Sequence, residues 1–200
     1  SDFDIISIDE LNNILRQGVT PKRKKIVLTF DDGYIDNYNV VYPFLSEQQI
    51  PFTIYVCNGL INKSIYIWWY LILSLYESEN KVIIIDNRKV KLEPSNKSII
   101  FKFLKSQNED SLKFLLSNLG IDIKKSNKLF NEEIAMTWAQ ISKMAESEYV
   151  TIGAHTINHY SLKFLSNESS FDEMLLSKNE IEKNIKMKVS HFAYPFGSDN

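Results

Sequence analysis

Short apolar, β-rich runs recur along this chain, and most of them open directly onto residues that can do chemistry. Ile26–Phe30 runs into Asp31-Asp32-Gly33, Tyr149–Ala154 into His155, and His191–Tyr194 into Pro195-Phe196-Gly197. A further run, Phe52–Cys57, ends at the single cysteine. Between these runs the apolar residues fall at helical spacing: Ile5–Leu15 with Asp4 or Ser7 as its cap, Tyr38–Gln48, and a segment opened by Thr137-Trp-Ala-Gln140 that reaches about Glu146. Ser170-Phe-Asp-Glu173 reads as a second capping box, starting a helix to about Ile185. Strands that alternate with helices predict an α/β fold with a mainly parallel sheet or barrel. In such folds the chemistry collects at the C-terminal ends of the strands.

The stretch 62–130 breaks this rhythm. Ile65–Tyr76 is apolar almost all round and reads as a buried helix. Val82–Ile85 and Lys89–Leu92 flank Asp86-Asn87, a hairpin signal. Ser98–Leu104 and Ser111–Leu119 read as helices, the second closed by Gly120. The expected organisation is therefore 1–61 as the first part of the core fold, 62–130 as an inserted α+β block, and 131–200 as the continuation of the core.

Composition narrows the function classes. With 200 residues, 44% of them apolar, the chain can bury one sizeable core or a core and a small subdomain. Lys plus Arg number 23 and Asp plus Glu 25, a net charge of 23 − 25 = −2, so no strong basic field marks a general nucleic-acid binder. One cysteine excludes an internal disulfide framework and a multi-cysteine zinc site. No apolar run reaches the roughly 20 residues of a membrane span. Ser1 opens no recognisable export signal; the start without Met suggests a processed or excised chain.

The site candidates follow the strands. Asp31 and Asp32 share a tight turn, so one carboxylate can bind a cation while the other stays free as a base. His155-Thr-Ile-Asn-His159 holds two of the three histidines. An i, i+4 pair on one helical turn puts both imidazoles on one face, suited to a tetrahedral ion, with Asp31 or Asp32 as the third ligand and one position open for water. Phe192-Ala-Tyr-Pro-Phe-Gly197 could aim a backbone N–H at an oxyanion. Cys57 reads as a buried thiol, Trp68 and Trp69 as core packing, His191 as structural, and Glu168, Asp172 and Glu173 as acidic residues favoured at a helix N-terminus.

Taken together, TFDDG, HTINH and AYPFG, in this order and spacing, resemble the three leading motifs of the polysaccharide deacetylase family, also called the NodB homology domain or carbohydrate esterase family 4. The pieces LTFDDGYIDNY and TWAQI…AES…VTIGAHT agree with it, and the resemblance covers about Ile5–Leu60 and Met136–Gly197. It implies an incomplete, deformed (β/α) barrel carrying an inserted α+β block. It implies one divalent metal, most commonly Zn2+ with Co2+ or Ni2+ as alternatives, held by Asp32, His155 and His159. Asp31 would be the general base, the backbone N–H of Phe196 an oxyanion donor, and Thr156 and Tyr194 substrate-side residues.

The implied reaction is hydrolysis of N-acetyl or O-acetyl groups on sugars of a polysaccharide or glycoconjugate. The alternatives are a carbohydrate-binding pseudoenzyme and another metal-dependent amide hydrolase on the same fold. Family members often work in the cell envelope or outside the cell; with no export signal in view, a cytoplasmic location stays open. Two departures stand out. Ala193 occupies the position where the third motif usually carries an Arg. The family's later motifs, an Asp-Trp element and a Leu-x-x-His that supplies the acid, are absent before Asn200, which suggests part of a longer protein.

Overall fold

The computed structural model describes residues 2–76, 81–122 and 134–197. It divides into two compact units, one formed by Ser1–Ser64 with Glu133–Asn200 and the other by Ile65–Glu132. The expected block boundary at 130 lies outside the described residues.

The first unit opens with β1 (Phe3–Ile5), α1 (Ile8–Gln17) and β2 (Lys24–Ile26). Of the two candidate caps, Ser7 closes α1: its hydroxyl accepts from the Glu10 N–H at 3.1 Å. Asp4 is engaged elsewhere, pairing with Arg23 at 2.7 Å and Lys25 at 2.9 Å. The basic run Lys22–Lys25 thus gives Lys24 and Lys25 to β2, which pairs in parallel with β1. The single strand expected over Ile26–Phe30 is split. β3 (Leu28–Phe30) turns to a different partner, β4 (Phe52–Val56). Between them, a π-helical turn at Asn37–Val41 runs into α2 (Tyr42–Glu47). The short α3 (Asn58–Ile61) follows β4.

In the second unit, α4 covers Trp68–Ser74, shorter than the helix expected over Ile65–Tyr76. Trp68 is buried and its ring packs edge-on against Trp69 and Phe101, so these tryptophans do pack rather than present open faces. β5 (Val82–Ile85) and β6 (Arg88–Lys91) form the expected antiparallel hairpin. Asp86 and Asn87 both take positive φ, 48° and 62°, as a two-residue type I′ turn requires. α5 (Lys97–Lys105) and α6 (Glu109–Asn118) complete the unit. Beyond α6, Gly120 (φ 77°) donates to the Ser117 carbonyl and Ile121 to that of Leu116, the paired closure of a Schellman motif.

The chain re-enters the first unit through α7 (Trp138–Ala145), β7 (Val150–Ala154) and α8 (Asn167–Ile185). The capping box at Thr137 and Gln140 is present in both directions. The one expected at Ser170 is not. Ser166 caps α8 instead, accepting from Ser169 N–H at 3.1 Å, because the helix starts a turn earlier. β3, β4 and β7 make a parallel sheet in the order β3-β4-β7. All five residues of β4 are buried, as a central parallel strand covered on both faces demands. Phe52, Ile54 and Val56 from β4 pack with Ile141 and Met144 of α7 and Ile181 of α8. A Cβ on Gly153 would collide with the Tyr55 ring from the neighbouring strand. The strand expected at His191–Tyr194 reduces to a single parallel bridge from Phe192 to Ala154. Among the described residues, the strands close no barrel.

Candidate metal centre

Two loops meet over the C-terminal end of β4. The first leaves β3. Gly33 N–H donates to the Asp31 carbonyl at 2.9 Å, closing a γ-turn around Asp32, whose φ is 73°. A γ-turn with positive φ at its centre is a strained one and persists where surrounding contacts fix it. Here the Asp32 carbonyl accepts from Cys57 N–H at 3.1 Å, and the Gly33 carbonyl from Met136 N–H at 3.0 Å. Gly33 itself has φ 94°, and a Cβ there would press on Ile61 Cδ1 at 3.0 Å. The second loop leaves β7. His155 N–H donates to the Val56 carbonyl, and the carbonyls of Thr156 and Ile157 accept from Asn58 and Gly59.

The histidine pair is not on a helical turn, as its spacing suggested. The segment 155–160 is irregular, with Thr156 at φ 65° and His159 at φ 55°. Left-handed backbone is unusual for a β-branched residue such as Thr156. Its hydroxyl accepts from His159 N–H at 3.0 Å and closes the loop on itself. The result still brings the imidazoles together, with ring centroids 5.1 Å apart. His155 Nε2 lies 3.3 Å and His159 Nε2 3.0 Å from Asp32 Oδ1.

The trio offers three ligand atoms that could hold a cation. The Ala193 carbonyl sits 3.0 Å from His155 Nδ1. A carbonyl oxygen only accepts, so Nδ1 donates to it, and Nε2 is the ring atom that faces Asp32. The two atoms stand 3.3 Å apart, with Asp32 Oδ1 shut away from solvent. Burial pushes the Asp32 carboxyl up, but the two imidazoles outweigh it and hold the group far below the usual carboxylate range. Ligand atoms around a tetrahedral ion at 2.0–2.1 Å lie about 3.3 Å apart, close to the two N–O separations here. Two nitrogens and one carboxylate, in mutual reach within 4.8 Å, fit a divalent cation.

The other expected site residues fall around this trio in different ways. Asp31 is exposed, one residue before Asp32. Burial, and then the charge of Asp31, hold the Tyr55 phenol above its usual range. Phe196 takes φ 63° and lays its ring edge-on to His159, 4.7 Å between centroids. Tyr194 is 48% exposed, with its ring against Phe192. Thr156 is fully buried, its hydroxyl occupied within the loop. His191 pairs with Asp9 at 2.7 Å and lies outside the Asp32–His155–His159 cluster. Cys57 is fully buried, and burial pushes its thiol up, away from nucleophilic use.

The acidic reading of Glu173 is corrected. It does not serve a helix N-terminus but turns inward to the His155–His159 loop, accepting from Ile157 and Asn158. A signal for this was present: Glu173, Ser177, Ile181 and Ile185 are four apart and form the buried stripe of α8. Counting back from the two isoleucines puts a carboxylate on the inner face.

With this geometry in place, comparison with known proteins is decisive. A family model described as polysaccharide deacetylase matches residues 18–200. The chain belongs to the polysaccharide deacetylase family. Its curated relatives include the protein YxkH of Bacillus subtilis (strain 168), whose name assigns it provisionally to the polysaccharide deacetylases. The two are 36% identical over 63 residues, 32% of this chain and 21% of that protein. Among solved structures, the Streptococcus pyogenes deacetylase PplD in complex with acetate superposes with TM-score 0.59 at 21% identity, over 99% of this chain and 57% of that one. IcaB from Ammonifex degensii gives TM-score 0.58 at 18% identity, over 99% of this chain and 61% of that one. These likenesses identify the fold, a mixed α/β one shared with deacetylases. The chain spans less than two thirds of the length of each of these relatives.

Proposed function

We propose that this polysaccharide deacetylase chain hydrolyses acetyl groups, N-linked or O-linked, on sugars of a polysaccharide or glycoconjugate, with a divalent cation held by Asp32, His155 and His159. Zinc suits two imidazoles and a carboxylate; cobalt and nickel are alternatives. The observation that carries the reading is the convergence of those three side chains from two separate loops, with Asp31 exposed at the next position. The fold in this reading is a NodB-type deformed (β/α) barrel, and the compact unit Ile65–Glu132 is its inserted block.

A cation bound there supplies Lewis acidity to the acetyl carbonyl and lowers the pKa of water toward neutrality. The protein's own groups do the rest. Asp31, free of the ligand set, takes the proton from the attacking water through its carboxylate. The backbone N–H of Phe196 donates to the oxygen that gains negative charge, and its ring steadies the His159 imidazole from the edge. Tyr194 offers an exposed ring to the sugar. Thr156, buried, acts by holding His159 rather than by touching substrate.

A sugar-binding protein without turnover is the second reading. Ala193 favours it, since this residue gives its carbonyl to His155 and has no guanidinium to steady Asp31. Acetate release from acetylated chito-oligosaccharides separates the two. Asp31→Asn is expected to keep stoichiometric zinc and lose at least about 100-fold in kcat, the scale of a general base. Full rate in that variant removes Asp31 from the role. Zinc uptake with tight oligosaccharide binding but no acetate release from the unaltered chain selects the second reading.

A further inference from the structure

Glu173 is 8% exposed and sits in the second turn of α8. Its Oε2 accepts from the backbone N–H of Ile157 and of Asn158, each at 2.9 Å, and its Oε1 from Asn158 Nδ2 at 2.6 Å. Those donors belong to the two residues midway between His155 and His159. Thr156 and His159, on either side of this pair, both hold left-handed backbone. Such conformations persist only where the surroundings over-determine them. The opposite side of the loop is held by the Asn58 and Gly59 N–H groups. Glu173 therefore completes a clamp around the peptide units that fix the separation of the two imidazoles.

The clamp is itself anchored. Ser177, one turn on, donates to Asn58 Oδ1 at 2.7 Å; Asn58 Nδ2 donates to Glu180 Oε2 at 2.7 Å, and Asn62 Nδ2 to Glu180 Oε1 at 2.8 Å. Glu173, Ser177 and Glu180 lie on one face of α8, at i, i+4 and i+7. The helix thus grips both the histidine loop and the segment after β4 that supports it. A buried carboxylate is costly to desolvate unless its oxygens are fully hydrogen-bonded, and here donors of the loop meet that demand.

We propose that Glu173 is a positioning residue: by pinning the Ile157 and Asn158 peptide groups it sets the spacing of His155 and His159, and with it the affinity of the centre for its cation. The inference rests on the reading of that centre as a metal site. Reach and acceptance, rather than charge, are the essential properties. Glu173→Gln keeps both, because its carbonyl oxygen can take the two backbone N–H groups while the Asn158 amide turns to face the new NH2. Glu173→Asp keeps the charge and loses the reach by one methylene.

The test is a competitive chelator titration of Zn2+, paired with the visible absorption of the Co2+-loaded protein, on the unaltered chain and on Glu173→Ala, Glu173→Asp and Glu173→Gln. Outer partners of ligating histidines typically govern 10–100-fold in metal affinity. Glu173→Ala and Glu173→Asp are expected to bind Zn2+ at least about 10-fold more weakly and to shift the Co2+ bands, while Glu173→Gln stays within about 3-fold with the original band shape. Glu173→Ala with unchanged affinity and bands overturns the proposal, whatever its thermal midpoint. If that variant does not fold, the order of the other two decides: Asp retained and Gln weakened overturns it. An unaltered chain that takes up no Zn2+ or Co2+ sinks the metal-centre reading itself, and the role of Glu173 with it.

Discussion

At the scale of single residues, the site is a set of exchanges between backbone strain and side-chain geometry. Asp32, Thr156, His159 and Phe196 all hold positive φ, and all four are at the centre or against it. The sequence made the chemistry of these positions legible but not their conformation. An HxxxH spacing suggests a helix, and nothing local announces that Thr156 will turn left-handed and use its own hydroxyl to close the loop. The spacing of Glu173 from Ile181 and Ile185 put it on the inner face, but its partners, two backbone N–H groups and the Asn158 amide about fifteen residues away, are named by no spacing rule. Two outcomes are expected here. His159→Ala and Asp32→Ala should each abolish stoichiometric zinc uptake in equilibrium dialysis, since two remaining protein ligands hold zinc poorly. Retained one-to-one zinc in either variant moves the centre elsewhere. Gly153→Ala should destabilise by about 1–3 kcal/mol, the usual range for overpacking, as read from urea midpoints, because the Tyr55 ring must move to admit a methyl group. An unchanged midpoint means that the ring shifts freely.

Elements were the most readable scale where their signals are local. Ser7, the Thr137–Gln140 box, the Asp86-Asn87 turn and Gly120 each act within four residues of chain, and the structure uses each as its chemistry suggests. The readings failed where a distant partner decides. Val27 marks a break because β2 and β3 answer to different strands, and α8 begins at Asn167 because Ser166 caps it. Ser166→Ala should therefore cost about 1 kcal/mol in chemical denaturation, whereas Ser170→Ala should cost less; the reverse order restores the later start. The β1–β2 pair offers a pH-dependent check. Its Asp4 carboxyl lies below the usual range, chiefly through the Lys25 hydrogen bond and then the charges of Arg23 and Lys25. A lowered folded-state value means that this contribution is present above the unfolded-chain value of about 3.9 and is lost as pH falls through the folded one. Asp4→Asn should thus be slightly less stable than the parent at pH 7, with the gap narrowing as pH falls below the unfolded-chain value and also closing in high salt. A gap that persists in acid assigns the effect to something other than charge.

For the molecule as a whole, the alternation of strands and helices pointed to the right class, and the composition to a folded chain with a core. The parallel order β3-β4-β7 could not be read from either, because it depends on which strands meet across a hundred residues. The strands at Ile26–Phe30 and His191–Tyr194 were weaker than their apolar content promised: one is divided between two partners, and the other makes a single bridge. At this scale the expected consequence of the centre is ligand-linked stability. Zinc at about 100 times its Kd should add about 2.7 kcal/mol to the folded state, visible as a raised thermal midpoint that excess chelator reverses. No shift with saturating zinc means that the ion binds folded and unfolded chains alike.

The two loops that β4 holds side by side carry Asp32 and His155, which stand 155 − 32 = 123 positions apart. If the ion binds as proposed, its capture is consequently a late event in the life of each molecule. A nascent chain still short of His159 on the ribosome owns a carboxylate but no second loop to set against it. Competence to bind the ion thus doubles as a report that synthesis has passed that point and that the parallel strands have found their places.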